Sequence, residues 1–586
     1  MLSSQDGKTL LFRLLLVLCA NLAAAQNEVT VERDVPVKMR DGVVLHADVY
    51  RPKTEGKFPV LLQRTPYNKD GGVEFGVKAV ARGYVTIIQD VRGRFSSDGE
   101  WYTFKHESDD GYDTVEWAAG LPYSNGKVGM FGGSYVGATQ MLAAMAQPPH
   151  LAGIFPVVTA SNYHDGWTYQ GGAFEQWFSE SWTSGLAHNT LQRRVEKNTD
   201  ALTWVGKLPL SSYPVVEPGT GEGLAPYFLD WLQHPTYDDY WKTWSIEDHF
   251  AQIQVPAYHM GGWYDIFMGG TLRNYAGIKA RSGSEAARRN QRLLIGPWYH
   301  GPFTGKTGEL DFGSEANVEK TSDDITLRWY DYLLKGIQNG VEKEKPVKIF
   351  VMGKNVWREE DDWPLARAKS TRFYLHSGGK ANSLSGNGTL NTIAPRAETR
   401  DSFVYDPGDP VPTRGGGLCC DNEHLASGAF DQRPNENRND VLVYTTPVLQ
   451  DNMEVTGPIS VELYASSSAV DTDFTAKLVD VRPDGFCQNL TDGILRARYR
   501  NSQEKPELMQ AGNIYKFTID VWATSNVFLT GHRLRLEISS SNFPRFDRNL
   551  NTGEDPERGL RGVKATNTIY HDREHPSALI LPLVGR

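Results

Sequence analysis

The chain has few cysteines, no block of positive charge and, past its first 25 residues, no long apolar run. Each shortage excludes something. The four cysteines, at positions 19, 419, 420 and 487, show none of the spacings of a metal-binding module, so no metal is expected. Lys and Arg gather into neither stripe nor cluster, and the formal net charge is −10, which excludes a nucleic-acid partner. With no second apolar run near the ~20 residues of a membrane span, stable membrane insertion of the remaining chain is excluded. From Val347 onward no long helical pattern occurs, so the last part belongs to a different structural class from the first.

What is present starts with a leader. Lys8 and Arg13 precede an apolar run, Leu14 to Ala20, and the small residues Ala23-Ala24-Ala25 precede Gln26. Residues 1–25 read as a secretory signal peptide cleaved near Ala25, which sends the protein to the periplasm or outside the cell. Cys19 leaves with it. Of the rest, Cys419–Cys487 and Cys420–Cys487 are the open pairings, and a vicinal Cys419–Cys420 bridge is the strained outsider. The full length of 586 residues is enough for two to four domains with filled cores, and 11% aromatic content with 15 Trp suits β-rich cores and apolar pockets.

One stretch carries chemistry on its face: Val128-Gly129-Met130-Phe131-Gly132-Gly133-Ser134-Tyr135-Val136-Gly137. A strand-forming run ends at paired glycines, a serine follows, and helical spacing continues to Met145. This is the layout of a nucleophile elbow, with the second small residue displaced from position 136 to Gly137. The alternative is an ordinary glycine-rich turn. Around it, apolar runs alternate with helical segments. Strands are expected at 29–37, 43–50, 58–63, 84–89, 128–133, 153–158, 255–260 and 292–296, with a hairpin turn at Gly42. Helices are expected near 73–82, 108–119, 137–145, 270–281 and 322–335. Such alternation implies a mainly parallel sheet. Between about 161 and 250 the texture turns helical and rich in Trp, Tyr, Gln and Asn, which reads as a cap inserted over the sheet's carboxyl edge. After 346, short runs at 347–352, 370–375, 441–445, 459–466, 474–481, 515–521, 533–539 and 566–571 alternate with turn residues, the pattern of a β-sandwich or jelly roll.

A serine hydroxyl needs a base to take its proton, and the base needs a carboxylate to hold it. Ser134, Asp265 and His300 occur in the chain order of this fold class, and Asp265 and His300 each stand just past an expected strand. His259 lies inside a strand and reads as packing. His150, His164 and His188 near the cap read as structural or substrate contacts. Asp90 precedes the serine and reads as tying its own loop. For the oxyanion, the Tyr135 backbone N–H supplies one donor. No glycine-rich motif supplies the second, but Tyr67, after an earlier strand, has a phenol that can.

Several stretches together resemble the cocaine esterase / X-Pro dipeptidyl-peptidase (CocE/NonD) group of serine hydrolases. They are Arg64-Thr65-Pro66-Tyr67, Asp90-Val91-Arg92-Gly93 with Ser97-Asp98-Gly99, the elbow itself, Gly262-Trp263-Tyr264-Asp265 and Gly296-Pro297-Trp298-Tyr299-His300. In the last part they are Asp471-Thr472-Asp473-Phe474, Gly531-His532-Arg533-Leu534 and Ser540-Ser541-Asn542-Phe543-Pro544. The resemblance runs from about residue 30 to the C-terminus. It implies an α/β-hydrolase core with an inserted helical cap and a C-terminal all-β jelly roll, here divided as 26–160 with 246–345, 161–245, and 346–586. It implies the triad Ser134, Asp265, His300, an oxyanion hole of Tyr67 and Tyr135, and no cofactor. In such a chain the shifted Gly137 is normal.

The expected function is that of an exported serine hydrolase cleaving carboxylic esters or amides of small molecules or short peptides through an acyl-enzyme on Ser134. The cap aromatics Trp167, Tyr169, Phe174 and Trp177 are the candidates for an apolar acyl pocket. The alternative is an X-Pro dipeptidyl-peptidase or α-amino acid ester hydrolase using the same triad. It needs a carboxylate anchor for an amino group. None stands at 136–138, leaving Glu175, Glu180 and Asp165 in the cap. A rival of another class is a binding protein whose jelly roll recognises carbohydrate or a surface partner. Oligomeric state is left open.

Overall fold

The alternating residues at the start of the described chain pair as a hairpin. Val29–Lys38 (β1) and Val44–Pro52 (β2) run antiparallel, and Gly42 turns between them at a φ of 92°. The computed structural model describes residues 28–191, 205–212, 224–555 and 557–585. The expected signal peptide lies outside these residues.

The continuous apolar runs become strands buried on both faces. They are Phe58–Thr65 (β3), Val85–Asp90 (β4), Ser124–Gly133 (β5), Leu151–Val157 (β6), Ala257–Tyr264 (β7) and Gln291–Tyr299 (β8), mutually parallel across the sheet. The crossovers carry helices Val73–Ala81 (α1), Glu107–Ala119 (α2) and Tyr135–Met145 (α3). The cap contributes Gln176–Leu191 (α4) together with short helices such as Pro226–Gln233. Met268–Arg281 (α5) and Ser322–Lys335 (α6) complete the core.

One assignment is corrected at the join. Residues 347–352 are expected to open the sandwich. Instead Val347–Val351 (β9) pairs in parallel with β8, and Val356–Glu360 (β10) closes the edge antiparallel. The sheet order is β1-β2-β4-β3-β5-β6-β7-β8-β9-β10, so the core sheet continues past residue 345. The reason is burial: Val347, Ile349, Phe350 and Val351 are all buried, the two-faced pattern of an internal strand.

The second sheet system is all-β, with eleven strands between Ala368 and Val584. Its longest strand, Met453–Ser467, pairs with Tyr515–Phe528, Ala565–Tyr570 and Ala578–Val584. Core and sandwich share one apolar cluster, in which Trp263, Tyr264, Met268 and Leu272 meet Phe474, Leu490, Val521 and Trp522. Among the described residues no helix is long and apolar enough to cross a membrane.

The cysteines also differ from expectation. Cys419 and Cys420 are bonded to each other, and Cys487 is a buried free thiol. Cys487 lies in the sandwich strand Cys487–Arg496, where Arg535 Nη1 donates to its sulfur at 3.3 Å. Cys419 instead lies on a sandwich loop that reaches across to the core and packs in the same cluster as Ile266 and Phe267. With Cys419 and Cys420 joined to each other, Cys487 has no cysteine partner among the described residues.

Within the sandwich, buried Asp401 accepts hydrogen bonds from Ser377 Oγ, the Ala381 N–H, Tyr444 Oη and His571 Nε2 at 2.7–2.8 Å. Burial acts to raise the Asp401 pKa, but these donors outweigh it and hold it below 3.8. Burial likewise acts to lower His571, and the Asp401 bond and charge, with Glu398, outweigh it and hold it above 6.5. The histidine's contribution to stability is therefore full below its unfolded pKa and lost as pH rises through the higher folded one. The aspartate's is full above its unfolded pKa and lost as pH falls through the lower folded one. Thermal unfolding should show that His571→Gln costs more at about pH 5.5 than at about pH 8.5, by roughly 2–4 °C. Equal losses at both would refute the charged pair.

Candidate active site

Ser134 stands where β5 ends and α3 begins, at φ 61° and ψ −126°, a strained conformation for a residue with a side chain. Its surroundings hold it there. The Ser134 N–H donates to the Val157 carbonyl at 2.9 Å, and its own carbonyl caps the helix by accepting from Gly137 and Ala138. The displaced glycine has a steric reason: a Cβ at Gly137 would lie 2.8 Å from the Thr159 side chain. Strand, turn and helix can close on one another only with that hydrogen in place.

The two partners arrive from neighbouring parallel strands. Asp265 follows β7 and His300 follows β8, so both emerge at the same carboxyl edge as Ser134. His300 Nε2 is 3.0 Å from Ser134 Oγ, and His300 Nδ1 is 2.8 Å from Asp265 Oδ2. Asp265 Oδ1 accepts the Phe267 N–H at 2.6 Å, which fixes the carboxylate. With Nδ1–H given to the carboxylate, Nε2 is left as the acceptor for the serine proton. The edge of the imidazole meets the Phe267 ring at 5.2 Å, so it is packed as well as bonded.

Tyr67 follows β3, adjacent to β5 in the sheet, and lines the same cavity as Ser134 and His300. Burial of its hydroxyl raises the phenol above 10.0, so it remains a protonated donor at neutral pH, although the residue as a whole is 43% exposed. Tyr135 opens α3, and the first N–H groups of a helix have no intrahelical acceptor. Its phenol is used elsewhere, donating to Glu107 Oε1 at 3.0 Å beneath the elbow.

The cavity over Ser134 has a volume of about 600 Å³. Its wall includes Arg94, Phe95, Trp182, Leu186, His188 and Cys420. The acyl-pocket expectation is corrected here. Trp167, Tyr169, Phe174 and Trp177 are fully buried and absent from the wall. Trp167 stacks on Phe267 at 4.4 Å, Tyr169 donates to the Trp231 carbonyl and meets Phe174 at 5.3 Å, and Trp177 packs with Val205 and Leu418. They pack the cap internally and against the core and the sandwich loop. Sequence reasoning missed Arg94, Phe95, Leu186 and Cys420 as wall residues. Arg94 and Phe95 lay within a loop already singled out, between Asp90 and Gly99. Cys420 gave no local signal, because only the long sandwich loop brings it there.

The competing side chains are accounted for. His259 is buried against Gln291 at 2.9 Å, and burial lowers it to about 4. His150 sits 2.7 Å from Glu116, and His164 Nε2 3.0 Å from the Pro235 carbonyl. Asp90 accepts the Lys69 N–H at 2.8 Å and ties its loop. The cap acids are spent elsewhere. Asp165 pairs with Arg273 at 3.0 Å, and Glu175 faces Arg545 at 3.6 Å. Burial pushes Glu175 up to about 7 and Glu180 up to about 8.

Two family models match the chain: X-Pro dipeptidyl-peptidase (S15 family) over residues 41–302, and X-Pro dipeptidyl-peptidase C-terminal non-catalytic domain over 339–580. A cocaine esterase of Rhodococcus sp. (strain MB1 Bresler) is 40% identical over 577 residues, covering 95% of this chain and 99% of that protein. Among solved structures, an aminopeptidase from the marine sediment archaeon Thaumarchaeota archaeon is similar at TM-score 0.82 and 25% identity, over 96% of this chain and 97% of that one. An α-amino acid ester hydrolase is similar at TM-score 0.80 and 26% identity, with the same coverage.

Replacing Asp265 by Asn leaves a side chain of the same shape but offers His300 an amide in place of a carboxylate. Steady-state hydrolysis of p-nitrophenyl acetate should lose about 10³–10⁴-fold in kcat, and Ser134→Ala at least as much. Turnover near wild type in either variant would refute the triad.

Proposed function

The chain belongs to the family of cocaine esterase and the S15 X-Pro dipeptidyl-peptidases, which are serine hydrolases, and we propose that it is an exported esterase acting on acyl groups without a free amine. In this reading His300 takes the proton of Ser134, and the alkoxide attacks the ester carbonyl. Tyr67 O–H and the Tyr135 N–H meet the oxyanion, and Asp265 stabilises the imidazolium. His300 then gives its proton to the departing alcohol. Water, deprotonated by His300, hydrolyses the acyl-enzyme by the same path.

The observation that carries the substrate class is the charge of the cavity wall. Among the described residues it contains no carboxylate. Its ionisable members are Tyr67, Arg94, His188 and His300. Arg94 is 4% exposed, and no described carboxylate lies within ion-pair distance of it. Its guanidinium donates to the Pro66 and Leu186 carbonyls, and burial lowers its pKa. An ammonium group on the substrate would meet a cation and find no counter-charge among the described residues. Glu175, Glu180 and Asp165 stand outside the wall, which weighs against the dipeptidyl-peptidase alternative. Phe95, Trp182 and Leu186 supply apolar surface for the acyl chain.

Export is supported by the charged, apolar and small-residue pattern of the leader and by the Cys419–Cys420 bridge, which suits an oxidising compartment. Amino-terminal sequencing of the protein purified from its native host should begin at or near Gln26.

A paired assay tests the substrate class. The p-nitrophenyl ester of N-acetylalanine should exceed that of alanine in kcat/KM by about tenfold or more, a difference of about 1.4 kcal/mol at the transition state. Ala-Pro-p-nitroanilide should be poorer still. Preference for that anilide, lost on N-acylation, would make the enzyme a dipeptidyl-peptidase.

A further inference from the structure

A hydrogen bond joins the cap to the residue read above as an oxyanion donor. Trp182 Nε1–H donates to Tyr67 Oη at 3.0 Å. Trp182 belongs to α4 of the cap, and Tyr67 to the loop after β3, so the bond spans 115 residues of chain.

A phenol has one proton and two lone pairs, whereas an indole nitrogen only donates. The Trp182 bond therefore fills a lone pair and prevents the phenol proton from pointing at the cap. Among the described residues, the other polar groups acting on the Tyr67 hydroxyl are the Ser134 hydroxyl, the Tyr135 backbone N–H and the Arg94 guanidinium. The last two only donate and cannot receive the proton. The direction left open is the Ser134 side, where the carbonyl oxygen of an attacked ester gains its charge. Accepting a hydrogen bond also polarises the phenol and strengthens it as a donor.

Packing fixes the indole itself. Trp182 is 5% exposed. It stacks with Phe178 and Trp231 at 5.8 and 6.3 Å, lies against the Tyr135 ring at 5.7 Å and meets Trp167 edge-on at 5.5 Å. With the ring held on these sides, its N–H keeps one direction. On the acceptor side, Arg94 Nε grips the Pro66 carbonyl at 3.0 Å, and the Tyr67 N–H donates to Thr65 Oγ1 at 3.0 Å.

We infer that Trp182 is a positioning residue of the oxyanion hole, its indole N–H aiming the Tyr67 proton at the developing oxyanion. This rests on the reading of Tyr67 as an oxyanion donor, and a double-mutant cycle separates the two. The variants are Tyr67→Phe, Trp182→Phe and the combination, assayed on p-nitrophenyl acetate. Tyr67→Phe should lower kcat about 10²–10³-fold. Trp182→Phe should lower it about tenfold, with KM within about twofold, and should cost nothing further once the Tyr67 hydroxyl is gone. Should Trp182→Phe fail to fold, benzothienylalanine at position 182 keeps the bicyclic ring and replaces the N–H by sulfur, and the same loss is expected. Unchanged kcat with benzothienylalanine, or the same loss from Trp182→Phe in both backgrounds, would overturn the inference and leave the oxyanion role of Tyr67 standing. Wild-type kcat in Tyr67→Phe would overturn both.

Discussion

The elbow and the loop that carries Tyr67 are tied together by one buried charge. Arg64, at the end of β3, is fully buried beneath the elbow. Its Nη1 donates to Glu107 Oε2 at 2.7 Å and its Nε to Gln89 Oε1 at 2.9 Å. The other oxygen of Glu107 accepts the Tyr135 phenol, which in turn accepts the Phe104 N–H at 2.7 Å. Thr139 of α3 donates back to the Arg64 carbonyl at 3.1 Å. Strands β3 and β4, helix α2 and the elbow helix are thus joined through a few atoms. A buried ion pair of this kind adds little net stability over an apolar packing, but losing one partner costs about 3–5 kcal/mol. Its use here is registry. Tyr67 stands three residues beyond Arg64 and the Tyr135 N–H on the far side of the same cluster, so the two proposed oxyanion donors share one anchor.

The same logic extends outward through the next loop. Arg92 forks onto Asp110 of α2 at 2.9 and 2.6 Å, and Arg94, two residues on, reaches up to the Leu186 carbonyl of the cap. The sandwich closes the other side: the glycine at 417 passes so close to Asp265 that a Cβ would lie 3.2 Å from its carbonyl oxygen. The cavity is therefore built by all three parts of the chain, although the hydrogen-bonded triad comes from the core alone. Rigid machinery on strand ends and a wall made by inserted segments is how one sheet edge supports many substrates.

This division explains what could be read from the sequence. The triad was legible because an apolar run marks a strand, and parallel strands put all their following residues on one edge. Tyr67 was legible by the same rule. The acyl pocket was not. Trp177 and Trp182 both lie on α4, five positions apart, which places them about 140° apart around the helix. Composition favours both equally, but Trp177 faces Leu418 and Trp182 faces the cavity. Which face is covered is decided by segments distant in the chain. Residues 347–351 read as a sandwich strand for a related reason: a short apolar run carries no label of the sheet it joins, and here β8 takes it. The cysteines misled because a vicinal bridge was set aside as strained, whereas Cys419 is joined to Cys420 and Cys487 stays a buried free thiol.

The chemistry then turns on where charge is permitted. The core spends its buried carboxylates on arginines, on Lys69 and on His300, and the cap spends Asp165 and Glu175 on arginines. Arg94 is the buried guanidinium at the cavity that receives no such partner among the described residues, and it is held by neutral carbonyls instead. A cation desolvated in this manner leaves a positive potential in the space beside it, stronger than it would be in water. In the proposed reaction that potential would oppose an incoming ammonium and favour the oxyanion that forms beside Ser134. Arg94, with no carboxylate partner among the described residues, can therefore bias both the choice of substrate and the stability of the transition state in the proposed reaction, without altering Ser134, Asp265 or His300.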